Sequence, residues 1–402
     1  MQKKLIAVAV AGALAAPAAA LAQSTVQIYG TAYMEYGFLN QGPSNAAVPV
    51  DPANVDILQA PGSAIGFKGE EKLGGGMSAW FQCESTADIR GAGPQGFCSR
   101  NSAVGLKGSF GNFFVGIWDT PFKRTRVGNV GARDTGAFGT GHLLYGASTS
   151  TTDGANPGVF SRRQRNSINY DTPVFGGFQG MVSMSSTNAS TNLASNMSNA
   201  KERTVSVAGL YRSGPLAIGV GYSENSKAYN TTAAAPAPFS GDEEGWHINA
   251  SYQLGSVKLG AAYTQQEADV AAGNTAEVKA WHLGAEWKLA GPHNVHFGYT
   301  QVGDMKGTAG AQMGTAPAAL NAAALAAGQV AGAAVRPAVG ADTGAKLWQI
   351  KYVHDLSKRT FAGIGYTHLK NDRNAGYNLG GLSPSMNGSK NKGIVVNVGH
   401  RF

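Results

Sequence analysis

The sequence predicts an all-β fold: a 16-stranded antiparallel transmembrane β-barrel with short periplasmic turns and long extracellular loops. Three observations predict it. Segments with strict two-residue alternation recur along the chain. Short and long joins alternate between them. The final ten residues form an apolar strand tipped by Phe402.

The alternation is the period of half-buried strands. In residues 246–254, Trp246, Ile248, Ala250, Tyr252 and Leu254 share a face, and His247, Asn249, Ser251 and Gln253 share the other. In 281–289, Trp281, Leu283, Ala285, Trp287 and Leu289 oppose His282, Gly284, Glu286 and Lys288. In 216–222, Leu216, Ile218, Val220 and Tyr222 oppose only Ala217, Gly219 and Gly221. In the last strand, Ile394, Val396, Val398, His400 and Phe402 form a mainly apolar row, which would invite aggregation in water and suits a lipid-facing wall.

Tight joins are read at 72–76, 108–112, 175–177, 213–215, 254–256, 290–293 and 356–359. Long connections are read at 41–61, 87–97, 120–160, 187–201, 225–242, 266–275, 304–343 and 371–392. Seven short turns and eight long loops, with a strand at each end, require sixteen strands, the arrangement of outer-membrane barrels. Tyr29, Tyr170, Tyr211, Tyr222, Tyr252, Tyr263, Tyr299, Tyr352 and Tyr366 lie near strand ends, where an aromatic girdle is expected.

At the N-terminus, Lys3 and Lys4 precede an apolar run, and Ala20-Leu21-Ala22 offers a small-residue cleavage site. Residues 1–22 read as a secretory signal peptide and 23–402 as the barrel domain. Removing Lys3 and Lys4 takes the formal charge from +8 to +6. The fifty-six glycines are about twice the usual share, as many tight turns require. Cys83 and Cys98, fifteen positions apart in an exported chain, are expected to pair. The histidines are scattered, and neither a catalytic triad, a phosphate-binding glycine loop nor a metal-ligand spacing stands out, so no enzyme, cofactor or metal is expected. Export argues against a nucleic-acid partner despite the basic balance.

Residues 119–165 form an extended connection with lopsided charge. Lys123, Arg124, Arg126, Arg133, Arg162, Arg163 and Arg165 against Asp119, Asp134 and Asp153 leave it at +4. A long loop in a compact fold is commonly functional. Alternation places Arg100 with Ser102, and Arg165 with Ser167 and Asn169, on the polar side. Lys68, Glu70, Glu35 and Glu84 read the same way.

Several stretches resemble the general bacterial porins, in particular their beta-proteobacterial branch. Residues 63–70 and 73–82 resemble the first turn, 99–111 the second, and 165–173 the strand after the constriction loop; Phe402 matches the terminal aromatic. The resemblance implies a homotrimer in the bacterial outer membrane, in contact with lipid and lipopolysaccharide, and inserted by the barrel-assembly machinery with Phe402 as the assembly signal. It implies that the third loop, 119–165, folds into the lumen and narrows it. Arg100 and Arg165 match two positions of the arginine cluster on the opposite wall, and Arg162, Arg163 and Lys68 are assigned to that side. Arg124, Arg126, Arg133, Asp134, Glu35, Glu70 and Glu84 are assigned to the loop and acidic side. A third family arginine falls at Ala64, a frequent lysine falls at Thr31, and of the usual acidic pair on the loop only Asp134 is nearby. The expected function is passive diffusion of small hydrophilic solutes and ions with a preference for anions. The alternatives are a specific channel for organic acids or phosphate, and a barrel that displays adhesive loops.

Overall fold

The computed structural model describes residues 26–43, 53–91, 96–146, 159–185, 203–226, 242–269, 274–309, 313, 337–380 and 387–402. Residues 1–22, expected to be a signal peptide, and most of the alanine-rich stretch 309–341 lie outside the described residues. Eighteen strand segments form one sheet: β1 (Gln27–Gln41), β2 (Ala53–Gln59), β3 (Ala64–Gly74), β4 (Met77–Thr86), β5 (Ser102–Gly108), β6 (Gly111–Asp119), β7 (Arg163–Asp171), β8 (Phe178–Ser185), β9 (Arg203–Ser213), β10 (Leu216–Ser226), β11 (Glu243–Leu254), β12 (Val257–Asp269), β13 (Thr275–Lys288), β14 (His293–Val302), β15 (Lys306–Gly307), β16 (Ala345–Asp355), β17 (Thr360–Asn371) and β18 (Lys390–Arg401). Every ladder is antiparallel, and β1 pairs with β18 from Thr31↔Arg401 to Gln41↔Asn391, which closes the barrel.

The eighteen segments make sixteen wall strands. The upper half of β1 pairs with β2 and its lower half with β3, so β2 and β3 are two lengths of one strand. Likewise β15 extends β14, since both pair with β13. The first long connection is therefore shorter than the sequence suggested, because residues 53–59 belong to the wall. The break falls at Ala60-Pro61-Gly62-Ser63. Pro61 has no N–H to give to a ladder, and Gly62 takes a left-handed φ of 77°. Ser63 replaces the lost rung: its Oγ accepts from Tyr33 N (3.0 Å) and donates to Tyr33 O (2.8 Å).

Outward side chains of the isolated chain are apolar and exposed, as Ile248 (49 %) and Leu283 (50 %) show, while their strand neighbours His247, Asn249 and His282 are buried on the inner face. Such a wall satisfies its own backbone and presents oil outward, which is what a bilayer demands of a spanning sheet. No helix among the described residues is long and apolar enough to cross a membrane. At the seam, Gly30 N donates to Phe402 O (3.0 Å) and Phe402 N to Gly30 O (3.1 Å). The Phe402 ring covers Gly30, where a Cβ would meet ring carbons at 2.5 and 2.9 Å.

Toward the long-loop rim the inner face turns apolar over one sector. Val278, Ala280, Val302, Leu347, Leu369 and Leu39 pack with Leu143, Leu144, Tyr377 and Leu379, which come from loops folded into the barrel. A second core thus lies inside the barrel on that side.

Cys83 and Cys98 form a disulfide. Cys83 shares the outward face of β4 with Phe81 and Ser85, and Ser85 Oγ accepts from Cys98 N (2.9 Å). The bond closes a fifteen-residue separation, worth about 3 kcal/mol by loop entropy. Cys83→Ser with Cys98→Ser is expected to lower the denaturation midpoint of the purified barrel, and reduction of the native protein should do the same. Superimposable unfolding curves would contradict this.

Candidate functional site: a basic loop inside the barrel

The described lengths of the connection from β6 to β7, residues 120–146 and 159–162, lie along the inner wall. The connection opens with α1 (Pro121–Arg124), where Pro121 occupies the first turn and the Thr120 side chain accepts from Lys123 N (3.4 Å). Phe122 N then donates to Ser206 Oγ (3.0 Å), Gly128 N to Asn249 Oδ1 (2.8 Å) and Gly131 N to Glu286 Oε1 (3.1 Å). His282 Nε2 lies 2.8 Å from Val130 O, and His247 Nε2 lies 2.8 Å from Phe122 O. A carbonyl only accepts, so both rings carry their proton on Nε2. Their Nδ1 atoms are then free to accept, from Thr300 Oγ1 (2.8 Å) and Asn249 Nδ2 (2.7 Å). At the loop's far side Glu35 accepts from Ala137 N and from Tyr33 OH (3.0 Å). A second short helix, α2 (Gly141–Tyr145), ends at Gly146 with φ 61°, the left-handed cap that glycine takes without strain. Its Leu143, Leu144 and Tyr145 enter the inner core.

The loop's charges are held in named pairs. Arg124 grips Asp171 through both terminal nitrogens (2.8 and 2.5 Å). Arg126 grips Asp134 (2.9 and 3.2 Å) and lies over the Tyr145 ring (4.5 Å). Burial alone would raise the Asp134 pKa; Arg126 and Lys123 outweigh it and hold the carboxyl below its usual range. Burial pushes the Tyr145 phenol up to about 12. Arg133 stacks on Tyr33 (3.9 Å to the ring centre) and donates to Pro61 O (3.0 Å), with no carboxylate within salt-bridge distance among the described residues. Arg162 pairs with Glu243 (2.8 Å), both buried, and Arg163 lies 3.2 Å from Asp119.

Other expected residues sit elsewhere on the wall. Arg100 binds Glu84 (2.6 Å), which also accepts from Tyr29 OH (3.1 Å). Alternation does not carry Arg100 there. Ser102 pairs with Ile117 on the face of outward Val104, and Arg100 reaches the inner face because it precedes β5 and bends toward Glu84. Arg165 loses the support of alternation as well. Gly116 pairs with Ser167 but Trp118 pairs with Gln164, so a bulge puts Gln164 in phase with Ser167. Asn166, at φ 50°, sits in that bulge. Glu70 pairs with Lys107 (2.6 Å) and Lys68 lies over Tyr29 (5.1 Å); both are near the short-turn rim, without a contact to the loop among the described residues.

Beneath the loop opens a cavity of about 460 Å³. Lys123, Arg124, Arg126, Arg133, Arg212 and Lys258 line it, against only Asp134 and Glu286. No group of three or more potential metal ligands occurs among the described residues.

The family model described as Gram-negative porin matches residues 7–374. The chain belongs to the Gram-negative porin family. This porin is 26 % identical, over the whole of both chains, to outer membrane porin protein 32 of Delftia acidovorans. It is 40 % identical over 122 residues to major outer membrane protein P.IB of Neisseria gonorrhoeae, a match that spans about a third of either chain (30 % and 31 %). Among solved structures, the anion-selective porin from Comamonas acidovorans superposes with a TM-score of 0.68 at 22 % identity, covering 94 % of this chain and all of that one. The fold is thus that of an outer-membrane porin. The porin's loop anchors His247, Asn249 and His282, together with Gln266, whose Nε2 donates to Leu144 O, were not singled out from the sequence as site residues. The available signal was that each lies on the polar face of an otherwise apolar strand.

Proposed function

We propose that this porin is a diffusion channel for small hydrophilic solutes and ions that favours anions, narrowed by its third loop. The observation that carries this reading is the cavity under the loop, lined by six cations and two carboxylates. A low-dielectric wall focuses such a charge excess on the path of a passing ion and raises the local concentration of anions. The name of the Comamonas relative, an anion-selective porin, agrees with it. The reversal potential across a planar bilayer in a potassium chloride gradient tests it. The expected sign is that of chloride permeating faster than potassium, and a potential of the opposite sign would overturn the reading.

The working unit is a homotrimer, joined along the wall sector β5–β8. These strands have seven, nine, nine and eight residues, against fifteen in β1. Seven residues at about 3.4 Å each, tilted about 40°, rise only about 18 Å, short of the roughly 25 Å apolar band. A neighbouring copy covers such a sector better than lipid does. The remaining wall meets lipid and lipopolysaccharide, and the Phe402 seam is the feature offered to the barrel-assembly machinery.

A further inference from the structure

The inner face of a water-filled barrel is expected to be polar. On β4 and β6 it carries three large aromatic rings instead. Trp80, Phe114 and Trp118 lie 5.1 to 5.6 Å apart, centre to centre. Their register places them inward: Trp80 pairs with Gly105, Phe114 with the buried Asn169 and Trp118 with the buried Gln164, while Phe113 and Val115 point outward and are exposed. Phe114 is fully covered; the two tryptophans keep part of their surface open.

Trp80 is pinned flat against the wall. Its Nε1 donates to Asn112 Oδ1 (2.8 Å). The ring lies over Gly105, where a Cβ would meet Trp80 Cε2 and Nε1 at 2.7 Å. Trp118 stands at 68° to it, so the two rings form a corner with a floor and a side. Cations border the corner. Arg124 lies 5.9 Å from the Phe114 ring centre, and Lys123 binds Asp119, the residue after Trp118. Arg124 and Lys123 also line the basic cavity.

We propose that this corner is a binding subsite for planar aromatic anions, small aromatic carboxylates above all. The ring stacks on Trp80 against Trp118, and the carboxylate faces the cavity's cations. Pinned indole faces stack on any flat π-system and gain little from a saturated ring. The proposal rests on the anion-preferring reading and adds the substrate class to it.

The test compares benzoate with cyclohexanecarboxylate, alike in charge and near in size, as blockers of single-channel chloride current through the full-length protein. Benzoate is expected to halve the current at roughly tenfold lower concentration, about 1.4 kcal/mol. Trp118→Leu and Trp80→Leu should each erase most of that difference and leave the chloride reversal potential unchanged. Equal half-blocking concentrations in the wild-type channel would overturn the proposal, whether or not the variants fold. Benzamide and cyclohexanecarboxamide separate the two readings. A benzamide preference in a channel without chloride preference would overturn the anion reading and support the stacking corner.

Discussion

Arg133→Gln is expected to lower the chloride-over-potassium permeability ratio about tenfold in dilute salt, the estimate following from one unit charge about 6 Å from the ion path in an aqueous dielectric. Such a charge contributes about 0.7 kcal/mol, or about threefold, to the local chloride concentration, and the same factor in the opposite sense to potassium. Arg133 is the choice because its charge lines the cavity, is held in place by the Tyr33 ring and Pro61 O, and has no carboxylate in salt-bridge range among the described residues. Glutamine removes the charge without adding a carboxylate beside Glu35. Arg133→Lys keeps the charge and loses the planar stack, so it should retain most of the preference. The effect should shrink as salt rises, since screening sets in over about 10 Å at 0.1 M. An unchanged reversal potential for Arg133→Gln would remove this residue from the selectivity site.

The excess of positive charge in 119–165 was plain, because it needs only a count. Its partners were not, because Arg124 finds Asp171 and Arg162 finds Glu243 at separations of 47 and 81 positions, distances that only the closed barrel brings together. The wall was legible for the opposite reason: alternation and tight turns are local. It failed where a local signal is broken by backbone geometry. The run Asn54-Val55-Asp56-Ile57 is a strand, but Pro61 and Gly62 beside it read as loop. The bulge at Asn166 is invisible in sequence, since a non-glycine residue there gives no warning of a positive φ, and one extra residue removes the alternation on which the placement of Arg165 relied. The lumen-facing tryptophans ran against the expected apolar-out pattern, so periodicity alone had no place for them.

Gly284→Ala is expected to displace the third loop and reduce single-channel conductance, with frequent closures. Gly284 was visible on the polar face of its strand, yet its reason appears only with the loop in place: a Cβ there would collide with the Val130 carbonyl oxygen. Gly219 makes the same allowance for the Thr125 carbonyl, and from the loop side Gly131, at φ 73°, sits against the Phe297 carbonyl. Backbone thus rests on backbone at each of these places, with no flexible side chain to give way. Even a methyl must push the loop toward the pore axis and loosen the neighbouring bonds from His282 to Val130 O and from Gly131 N to Glu286. Overpacking of this kind costs about 1–3 kcal/mol, enough to shift a loop equilibrium by about fivefold to a hundredfold at about 1.4 kcal/mol per decade. Gly209→Ala is the control, because its nearest neighbours are the Phe178 ring carbons at 3.1 and 3.3 Å, on the side of the wall away from the loop. Conductance traces of Gly284→Ala that match those of Gly209→Ala would mean that the loop's close seating on the wall does not set the width of the channel.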